Sequence, residues 1–486
     1  MFTRILGTTK EDIQQAAEII ASGGLVAFPT ETVYGLGANA LDAEAVGKVY
    51  EAKGRPSDNP MIVHIADKEE LNNLTYEITP DMGKLMDAFW PGPLTIVVPA
   101  KPLVPKVTTG GLDTVAVRMP VNEIAAQLIR ESHVPIAAPS ANLSGKPSPT
   151  KYTHVVDDLN GRIDAIIAGD ECYVGIESTV VDMTGDLPTV LRPGIITIED
   201  LSKALGRQVG IDPTLLQRPD LIDNAGLKET GEDFKPKAPG MKYKHYAPKA
   251  EMIIFRGQRD KVTLAMSEEK NRRVQSGQKV ETIIYDDNHP ETAAHQFFDR
   301  LRACDKSDVD VILAAALSEQ GIGFSVMNRM FKSAGYHIVE VKEMKIAVAS
   351  DHGGYKLKEY IKSHLIDRGL EVEDLGTFSD ESVDYPVYGK ECGEAVASGK
   401  ADLGVVCCGT GIGISIAANK VKGVRCGLCT SVEMAHLTKQ HNNANMIALG
   451  GRTTSLELAV AIVDEWLDTE FEGGRHQRRV DMLDKM

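Results

Sequence analysis

Apolar residues follow two alternating spacings through the first 215 residues. Residues 9–22 carry apolar side chains three and four apart, which predicts an amphipathic helix, and the apolar run at 24–30 predicts a strand. Strand-like runs such as LTIVVPA, TVAVRMP and STVVDM follow, separated by helical stretches such as NEIAAQLIRESH. This alternation predicts a mixed α/β domain over residues 1–215.

The periodic pattern stops over residues 216–249, which are rich in Pro, Gly and Lys, and this composition is typical of a linker. Alternation resumes at 250, with helices predicted near 258–275 and 291–303, and indicates a small Rossmann-like α/β domain over 250–342. Over residues 344–486 strand and helix alternate five times. That pattern predicts a doubly wound parallel sheet, in which sites form at the carboxyl ends of the strands. The predicted class is therefore α/β throughout.

Composition narrows the class of protein. The 486 residues are 43% hydrophobic and 25% charged, as in globular proteins. The net charge of −16 disfavours a protein whose whole surface grips nucleic acid or anionic lipid, but is compatible with a local basic groove. No apolar run reaches the ~18 residues of a membrane span, and no signal peptide is recognisable, so a cytoplasmic protein without membrane contacts is expected. The 7 cysteines are expected to be reduced. Cys426 and Cys429 form a C-x-x-C on a predicted buried strand, and no zinc is expected there.

A glycine-rich loop carries the candidate chemistry of the last domain. Cys408 ends a predicted strand, and Gly409, Gly411 and Gly413 follow it, so the backbone there can approach an anion closely. A dinucleotide site is the alternative, but the spacing is G-x-G-x-G and the loop follows the third strand of the unit. Neighbouring Cys407 is expected to face the core, since successive strand residues point to opposite faces. Arg475 and Arg479, four apart, are predicted to share one helical face suited to a phosphate.

The motifs SDHGGYKLK, DYP, CGTGIGISIAAN, QHNNAN, GGR and EGGRHQRR, in this order over residues 344–486, closely resemble ribose-5-phosphate isomerase B. The resemblance implies that Cys408 moves a proton between carbons 1 and 2, that His441 assists ring opening, and that Thr410 and the loop amides stabilise the enediolate. Sugar-phosphate binding is implied for Asp351, His352, Tyr385, Gly409, Gly411, Gly413, Asn442, Arg452, Arg475 and Arg479.

Some relatives use a glutamate just after the loop as the base, and Ile414 occupies that position here. Cys408 is therefore the preferred base. No metal and no cofactor are expected for the isomerase, and a homodimer through this domain is expected. Ribose 5-phosphate, interconverted with ribulose 5-phosphate in the pentose phosphate pathway, is the preferred substrate. A hexose 6-phosphate of allose or galactose is the alternative.

Three short segments stand out near the amino terminus: PTETVYGLG at 29–37, AKGRPSDNP at 52–60 and APSANLSGKPS at 138–148. Lys53 and Arg55 flank a glycine and are predicted to sit in a turn where both cations face one polyanion. Taken singly, these segments would be an ordinary surface turn and an ordinary helix cap.

Together with VAVRMP, ESTVVD and LRPG, these segments resemble the YrdC-type threonylcarbamoyl-AMP synthases. The linker PGMKYKHYAP and the later GFSVMNRMFKSAG resemble the long form of that family, so the likeness covers residues 1–342. It implies formation of threonylcarbamoyl-adenylate from L-threonine, bicarbonate and ATP with Mg²⁺, for tRNA modification, and makes tRNA-modification proteins candidate partners. By motif, threonine binding is implied for Thr32, His64, Arg118 and Ser178. ATP binding is implied for Lys53, Arg55, Asn59, Thr114, Ser140, Asn142 and Arg192.

The basic run of the linker from Lys237 to Lys249 is predicted to act as a lid over the nucleotide, with Tyr243 or Tyr246 as the contact; a solvated tether is the alternative. An alternative for the whole first half is an RNA-binding module without catalysis, in which the Lys-Arg and Ser-Asn pairs hold tRNA phosphates. The full prediction is a fusion of two enzymes, a synthase and an isomerase.

Overall fold

The computed structural model describes residues 2–216, 246–341 and 344–485. It divides the chain into two compact units, Met1–Val341 and Lys342–Met486. Most of the predicted lid, including Tyr243, lies outside the described residues; Tyr246 lies within them.

The first unit begins with a mixed sheet of eleven strands, in the order β1-β8-β2-β3-β7-β4-β6-β5-β9-β10-β11. Its strands are β1 (Arg4–Leu6), β2 (Val26–Phe28), β3 (Gly35–Asn39), β4 (Ile62–His64), β5 (Leu94–Pro99), β6 (Thr114–Arg118), β7 (Ile136–Ala137), β8 (Ala165–Ile167), β9 (Thr179–Asp182), β10 (Thr189–Arg192) and β11 (Gly210–Ile211). The helices are α1 (Lys10–Ala21), α2 (Ala43–Lys53), α3 (Leu71–Leu74), α4 (Pro80–Phe89), α5 (Glu123–Ser132), α6 (Tyr152–Leu159), α7 (Ile198–Leu205) and α8 (Pro213–Leu216), with a 3-10 turn at Lys68–Glu70. The predicted helix at 9–22 begins at its Thr9 cap, whose hydroxyl accepts from Asp12 N–H.

The rest of this unit, here called the small domain, has a four-stranded parallel sheet in the order β13-β14-β12-β15. Its elements are β12 (Glu251–Gly257), α9 (Arg259–Gln275), β13 (Val280–Ile283), α10 (Pro290–Lys306), β14 (Val311–Ala315), α11 (Gly321–Ser333) and β15 (Ile338–Val341). Its core is continuous with the first sheet's domain, because Val33, Val174 and Ile176 pack among its buried residues.

The second unit is a five-stranded parallel sheet in the order β17-β16-β18-β20-β19. Its elements are β16 (Lys345–Ser350), α12 (Tyr355–Asp367), β17 (Glu371–Asp374), α13 (Tyr385–Ala397), β18 (Leu403–Cys408), α14 (Ile412–Ala418), β19 (Cys426–Leu428), α15 (Val432–Asn442), β20 (Met446–Gly450), α16 (Leu456–Asp468) and α17 (Gln477–Leu483). Apolar clusters cover both sheet faces. The predicted α/β class, with its doubly wound parallel sheet, is confirmed.

Two details of the second unit bear on the sequence predictions. Cys407 packs in one apolar cluster and Cys408 in the other, so the two thiols do face opposite sides of β18. The strand predicted around Cys426 forms as the edge strand β19, but its three residues are partly rather than completely buried. In the described part of the chain, no helix has both the length and the apolar character needed to cross a bilayer.

Candidate active sites

One cavity of the first unit collects nine of the eleven residues predicted to bind threonine or ATP. These are Thr32, Lys53, Arg55, His64, Arg118, Ser140, Asn142, Ser178 and Arg192. Asn59 and Thr114 do not line it. Thr114 pairs with Pro99 at the far end of β6 from Arg118, roughly 13 Å along the strand.

Lys53 is held by the protein's own carbonyl groups and ends a helix, which corrects the prediction that Lys53 and Arg55 sit in one turn facing a polyanion. It is the last residue of α2 and is buried, and its ammonium donates to Ser140 O, to Asn142 O at 2.5 Å and to Asn142 Oδ1 at 3.4 Å. Burial, with Arg55 nearby, holds the pKa of Lys53 well below its usual range. Lys53 therefore fixes the Ser-Asn segment, whose Ser140 hydroxyl donates to Asn142 Oδ1 at 2.6 Å.

Arg118 and Glu31 form a buried ion pair beside the predicted threonine residues. Arg118 Nη2 lies 2.6 Å from Glu31 Oε1, and the two side chains are 4% and 0% exposed. Arg118 Nη1 donates to the Thr32 hydroxyl at 2.9 Å. Burial, together with Arg118, lowers the pKa of His64 to about 3, so the imidazole is neutral at pH 7. A cation, a hydroxyl and a neutral imidazole thus converge, as an amino acid carboxylate and side chain would require.

Arg192 and Glu177 line the same cavity. Arg192 donates through Nε to Ser178 O and through Nη2 to Ser178 Oγ, both at 3.0 Å, and Ser178 Oγ lies 2.7 Å from the Thr95 hydroxyl. Glu177 accepts from the Ser148 hydroxyl at 2.6 Å. Arg329 and Arg192 hold the pKa of the Glu177 carboxyl below its usual value, against the effect of burial.

Sequence reasoning gave no role to Glu31, Glu177 or Arg329, although each lies in a quoted motif. Their types alone suggest surface charges, and only the fold reveals their partners. Tyr246, one of the two predicted lid tyrosines, lines the cavity and packs on Phe298 with ring centroids 5.0 Å apart.

In the second unit the glycine-rich loop lies at the carboxyl edge of the sheet. Gly411 N–H donates to Cys408 Sγ at 3.2 Å, and Gly411 has φ +78°, where a side chain would be strained. Gly354 packs so closely that a Cβ would lie 2.4 Å from Cys407 C. Ile414 is fully buried, so the position that some relatives give to a glutamate is part of the core.

Four further predicted residues surround this loop. Asp351 follows β16 and its Oδ1 accepts from Gly354 N–H at 3.0 Å, while Val383 N–H donates to His352 Nδ1 at 3.2 Å. Arg452 N–H donates to Gly409 O at 3.0 Å, and the Tyr385 ring covers Gly413. These groups share the edge where Cys408 and Thr410 lie.

The remaining predicted residues lie at the opposite, amino edge of the sheet. His441 and Asn442 end α15 and precede β20, whose carboxyl end carries Arg452. The six residues of β18 separate the two edges by roughly 17 Å. Arg475 and Arg479 adjoin His441 rather than Cys408, since Glu472 N–H donates to Gln440 O. The prediction that both arginines share one helical face is wrong, because α17 begins at Gln477.

His441 stacks on His476 with ring centroids 4.3 Å apart and planes 3° apart. Glu472 Oε2 lies 3.7 Å from Nε2 of each ring. A bound metal ion lies in the plane of each imidazole that ligates it, and parallel planes share no such point. Arg475 Nε also donates to His476 Nε2 at 3.1 Å. The stacked arrangement of the two rings therefore does not suit a metal ion shared between them.

Comparisons with known proteins divide the chain at the same place. The family described as Telomere recombination matches residues 18–194, Threonylcarbamoyl-AMP synthase, C-terminal domain, matches 196–335, and Ribose/Galactose Isomerase matches 346–483. A threonylcarbamoyl-AMP synthase of Pyrococcus abyssi is 49% identical over 68% of this chain and 96% of its own length. Ribose-5-phosphate isomerase B of Escherichia coli is 51% identical over 29% of this chain and 93% of its own length. The crystal structure of Pyrococcus abyssi Sua5 complexed with L-threonine is similar, with a TM-score of 0.64 and 47% identity over 70% of this chain and 100% of that one.

Proposed function

Since the chain belongs to the threonylcarbamoyl-AMP synthase family in its first unit and to the ribose-5-phosphate isomerase B family in its second, we propose that it carries out both reactions. The first unit forms threonylcarbamoyl-adenylate from L-threonine, bicarbonate and ATP. The second interconverts ribose 5-phosphate and ribulose 5-phosphate. The observation that carries the first assignment is the single cavity that collects nine predicted residues.

In the synthase, Arg118, Thr32, His64 and Ser178 bind threonine, with the Arg118 guanidinium on its carboxylate. Lys53, Arg55, Ser140, Asn142 and Arg192 bind ATP. The amine of threonine attacks the carbon of bicarbonate to give the carbamate, and water leaves. A carbamate oxygen then attacks the α-phosphorus, and pyrophosphate leaves. Catalysis rests on holding these two atoms in line, with cations balancing the charge of the phosphates.

Mg²⁺ would accompany the triphosphate. Among the described residues that line the cavity, Glu177 is the one carboxylate, and it is already bonded to Ser148 and Arg329. The protein groups therefore do not form a ready magnesium site, since Mg²⁺ in nucleotide sites prefers one or two carboxylates besides phosphate oxygens. No step is assigned to the ion.

In the isomerase, Cys408 takes the proton from carbon 2 of the open-chain sugar and returns it to carbon 1. The contact that favours this role is Gly411 N–H on Cys408 Sγ, because a donated hydrogen bond stabilises a thiolate. The other loop amides and Thr410 face the enediolate oxygens, and His352 lies at the same edge to take the phosphate.

His441, Asn442, Arg475 and Arg479 reach such a site only from a second copy of the chain. Val387, Ile412 and Ile416, on α13 and α14 beside the loop, are 60%, 53% and 56% exposed. An apolar surface at the mouth of an incomplete site fits burial against a second isomerase unit. We therefore place a homodimer here, with each site built from both copies.

Assays of the whole chain test both activities. Pyrophosphate release that requires threonine and bicarbonate is expected; its absence, with tRNA bound instead, would favour the RNA-binding alternative. Rates on ribose 5-phosphate should exceed those on allose and galactose 6-phosphates, and the reverse order would change the substrate but not the mechanism.

The dimer has its own test. Cys408→Ser and His441→Ala, each inactive alone, should regain about a quarter of wild-type isomerase activity when unfolded and refolded together, because half of a random mixture is mixed dimers with one intact site of two. No recovery would contradict the shared site.

A further inference from the structure

Arg329 belongs to the small domain but is engaged by the synthase cavity. It lies on α11 and is fully buried, an unusual place for a guanidinium. Its Nε donates to Glu177 Oε2 at 3.2 Å, its Nη2 to Glu177 O at 3.5 Å and its Nη1 to Pro193 O and to Ser325 O. One side chain therefore joins α11 to both segments that form one wall of the cavity.

The two segments leave little room to shift independently. Glu177 and Ser178 precede β9, and Pro193 and Gly194 follow β10. A Cβ on Gly194 would lie 2.4 Å from Thr179 N, so the segments are in direct backbone contact. The Ser325 hydroxyl, also on α11, donates to Gly194 O at 2.7 Å. The small domain therefore holds this wall of the cavity in place through hydrogen bonds from Arg329 and Ser325 of α11.

Arg329 also determines which cation pairs with the Glu177 carboxylate. Glu177 interacts with two guanidinium groups, those of Arg329 and Arg192. Arg192 uses its Nε and Nη2 on Ser178 and lines the cavity. Without Arg329, the buried carboxylate would draw on its remaining cations, Arg192 and Lys332 of α11, because an unpaired buried charge is costly. Of these two, Arg192 is the one that lines the cavity. Arg192 would then turn away from Ser178.

We propose that Arg329, supplied by the small domain, is a positioning residue of the adenylate-forming site. By pairing with Glu177 it leaves Arg192 directed at Ser178 and the nucleotide. This rests on the proposed synthase function. It gives the small domain a part in the reaction although none of its described residues from 250 onward lines the cavity.

Arg302 provides a matched control. It is also a buried arginine of the small domain that crosses to the larger domain, where Nη2 donates to Pro147 O at 2.6 Å and to Asp158 Oδ2 at 2.8 Å. Neither partner lines the cavity, and Asp158 already has the cavity residue Lys146 as a second cation at 3.0 Å, so no new cation need move to it. Arg302→Met therefore removes a comparable contact between the domains without freeing a carboxylate at the site.

The experiment measures threonine-dependent pyrophosphate release by the full chain, with kcat and KM for ATP, and thermal unfolding of each variant. We expect Arg329→Met to lower kcat/KM for ATP on the order of 100-fold, whereas Arg302→Met should lose stability but keep the wild-type KM. Adding Glu177→Gln to Arg329→Met removes the charge that would capture Arg192, so the double variant should recover at least about tenfold of the loss.

Equal kinetic losses in the two methionine variants, or a double variant no better than Arg329→Met, would overturn the inference and leave a purely structural contact. If Arg329→Met does not fold, Arg329→Lys against Arg302→Lys makes the same comparison. A wild-type chain without synthase activity would instead refute the proposed function.

Discussion

Adjacent cysteines give the isomerase an internal control. Cys407 and Cys408 are 0% and 4% exposed and point to opposite faces of β18, so the same substitution tests the loop face and the core face. We expect Cys408→Ser to abolish most isomerase turnover, and Cys407→Ser to retain it while destabilising the domain.

The magnitude follows from acidity and burial. A serine hydroxyl is far less acidic than a thiol, so it is a poor base near neutral pH, where a thiolate can take a proton. A positioned general base contributes about 10²- to 10⁴-fold, so kcat should fall by about 10³-fold, or about 4 kcal/mol in the barrier. The serine oxygen would also retreat from Gly411 N–H, because a C–O bond is shorter than a C–S bond. At position 407, burying a hydroxyl in an apolar cluster should cost about 1–3 kcal/mol of unfolding free energy.

The assay follows ketose formation from ribose 5-phosphate at saturating substrate, with urea unfolding of each variant. Synthase activity of the same samples reports whether the rest of the chain is intact. A Cys408→Ser enzyme with more than about a tenth of wild-type kcat would refute a thiolate base, and so would equal inactivation by a well-folded Cys407→Ser.

Three further predictions concern the synthase. Glu31→Gln leaves Arg118 as an uncompensated buried cation and should lower the free energy of unfolding by about 3–5 kcal/mol. In chemical denaturation, the double variant Glu31→Gln with Arg118→Met should recover part of this loss. A double variant that loses as much stability as the two single variants together would contradict the pairing. Lys53→Met leaves Ser140 O and Asn142 O without their donor, so kcat/KM for ATP should fall on the order of 100-fold. Isomerase activity in the same sample should stay unchanged. An unaltered synthase rate would show that Lys53 is not part of the site. The pKa of His64 is about 3 in the folded chain, against an ordinary value of 6.5. Below pH 6.5 the unfolded chain therefore binds a proton at His64 that the folded chain does not. As the pH falls from 6 to 4, this residue should lower the free energy of unfolding by about 1.4 kcal/mol per pH unit. Denaturation at several pH values should show that slope reduced in His64→Gln, and identical slopes would mean that His64 is charged in the fold.

The sequence predicts elements and motifs well because both are local. Apolar spacing marks α1 and the strands of the second unit, and the motif order brings Lys53, Ser140 and Asn142 into one expected set. The hydrogen-bond partners of each side chain are harder to predict from the sequence. The sequence predicts that the Lys53 ammonium faces a polyanion from a turn, whereas in the fold this ammonium donates to carbonyls 87 and 89 residues away.

The sequence also does not show at which edge of the sheet a residue lies, or with which residue it pairs. The order of motifs places Cys408 and His441 in one site. The parallel pairing of β18 with β20 puts the end of β18 and the end of α15, which leads into β20, at opposite edges of the sheet. Glu177 and Arg329 each look like an exposed charge in a polar motif. Their pairing requires the whole small domain to be in place, which no periodicity encodes.

The same pairing sets an order of events during synthesis. Glu177 and Arg329 are 152 residues apart, so at about 5–20 residues per second roughly 8 to 30 s pass between the two leaving the ribosome tunnel. The central pair of strands in the small domain, β12 and β14, is not complete until most of that interval is over. The nascent first sheet must therefore persist with a carboxylate that still lacks its main cation, and the synthase pocket reaches its final form only when the chain has been made almost to the start of the isomerase.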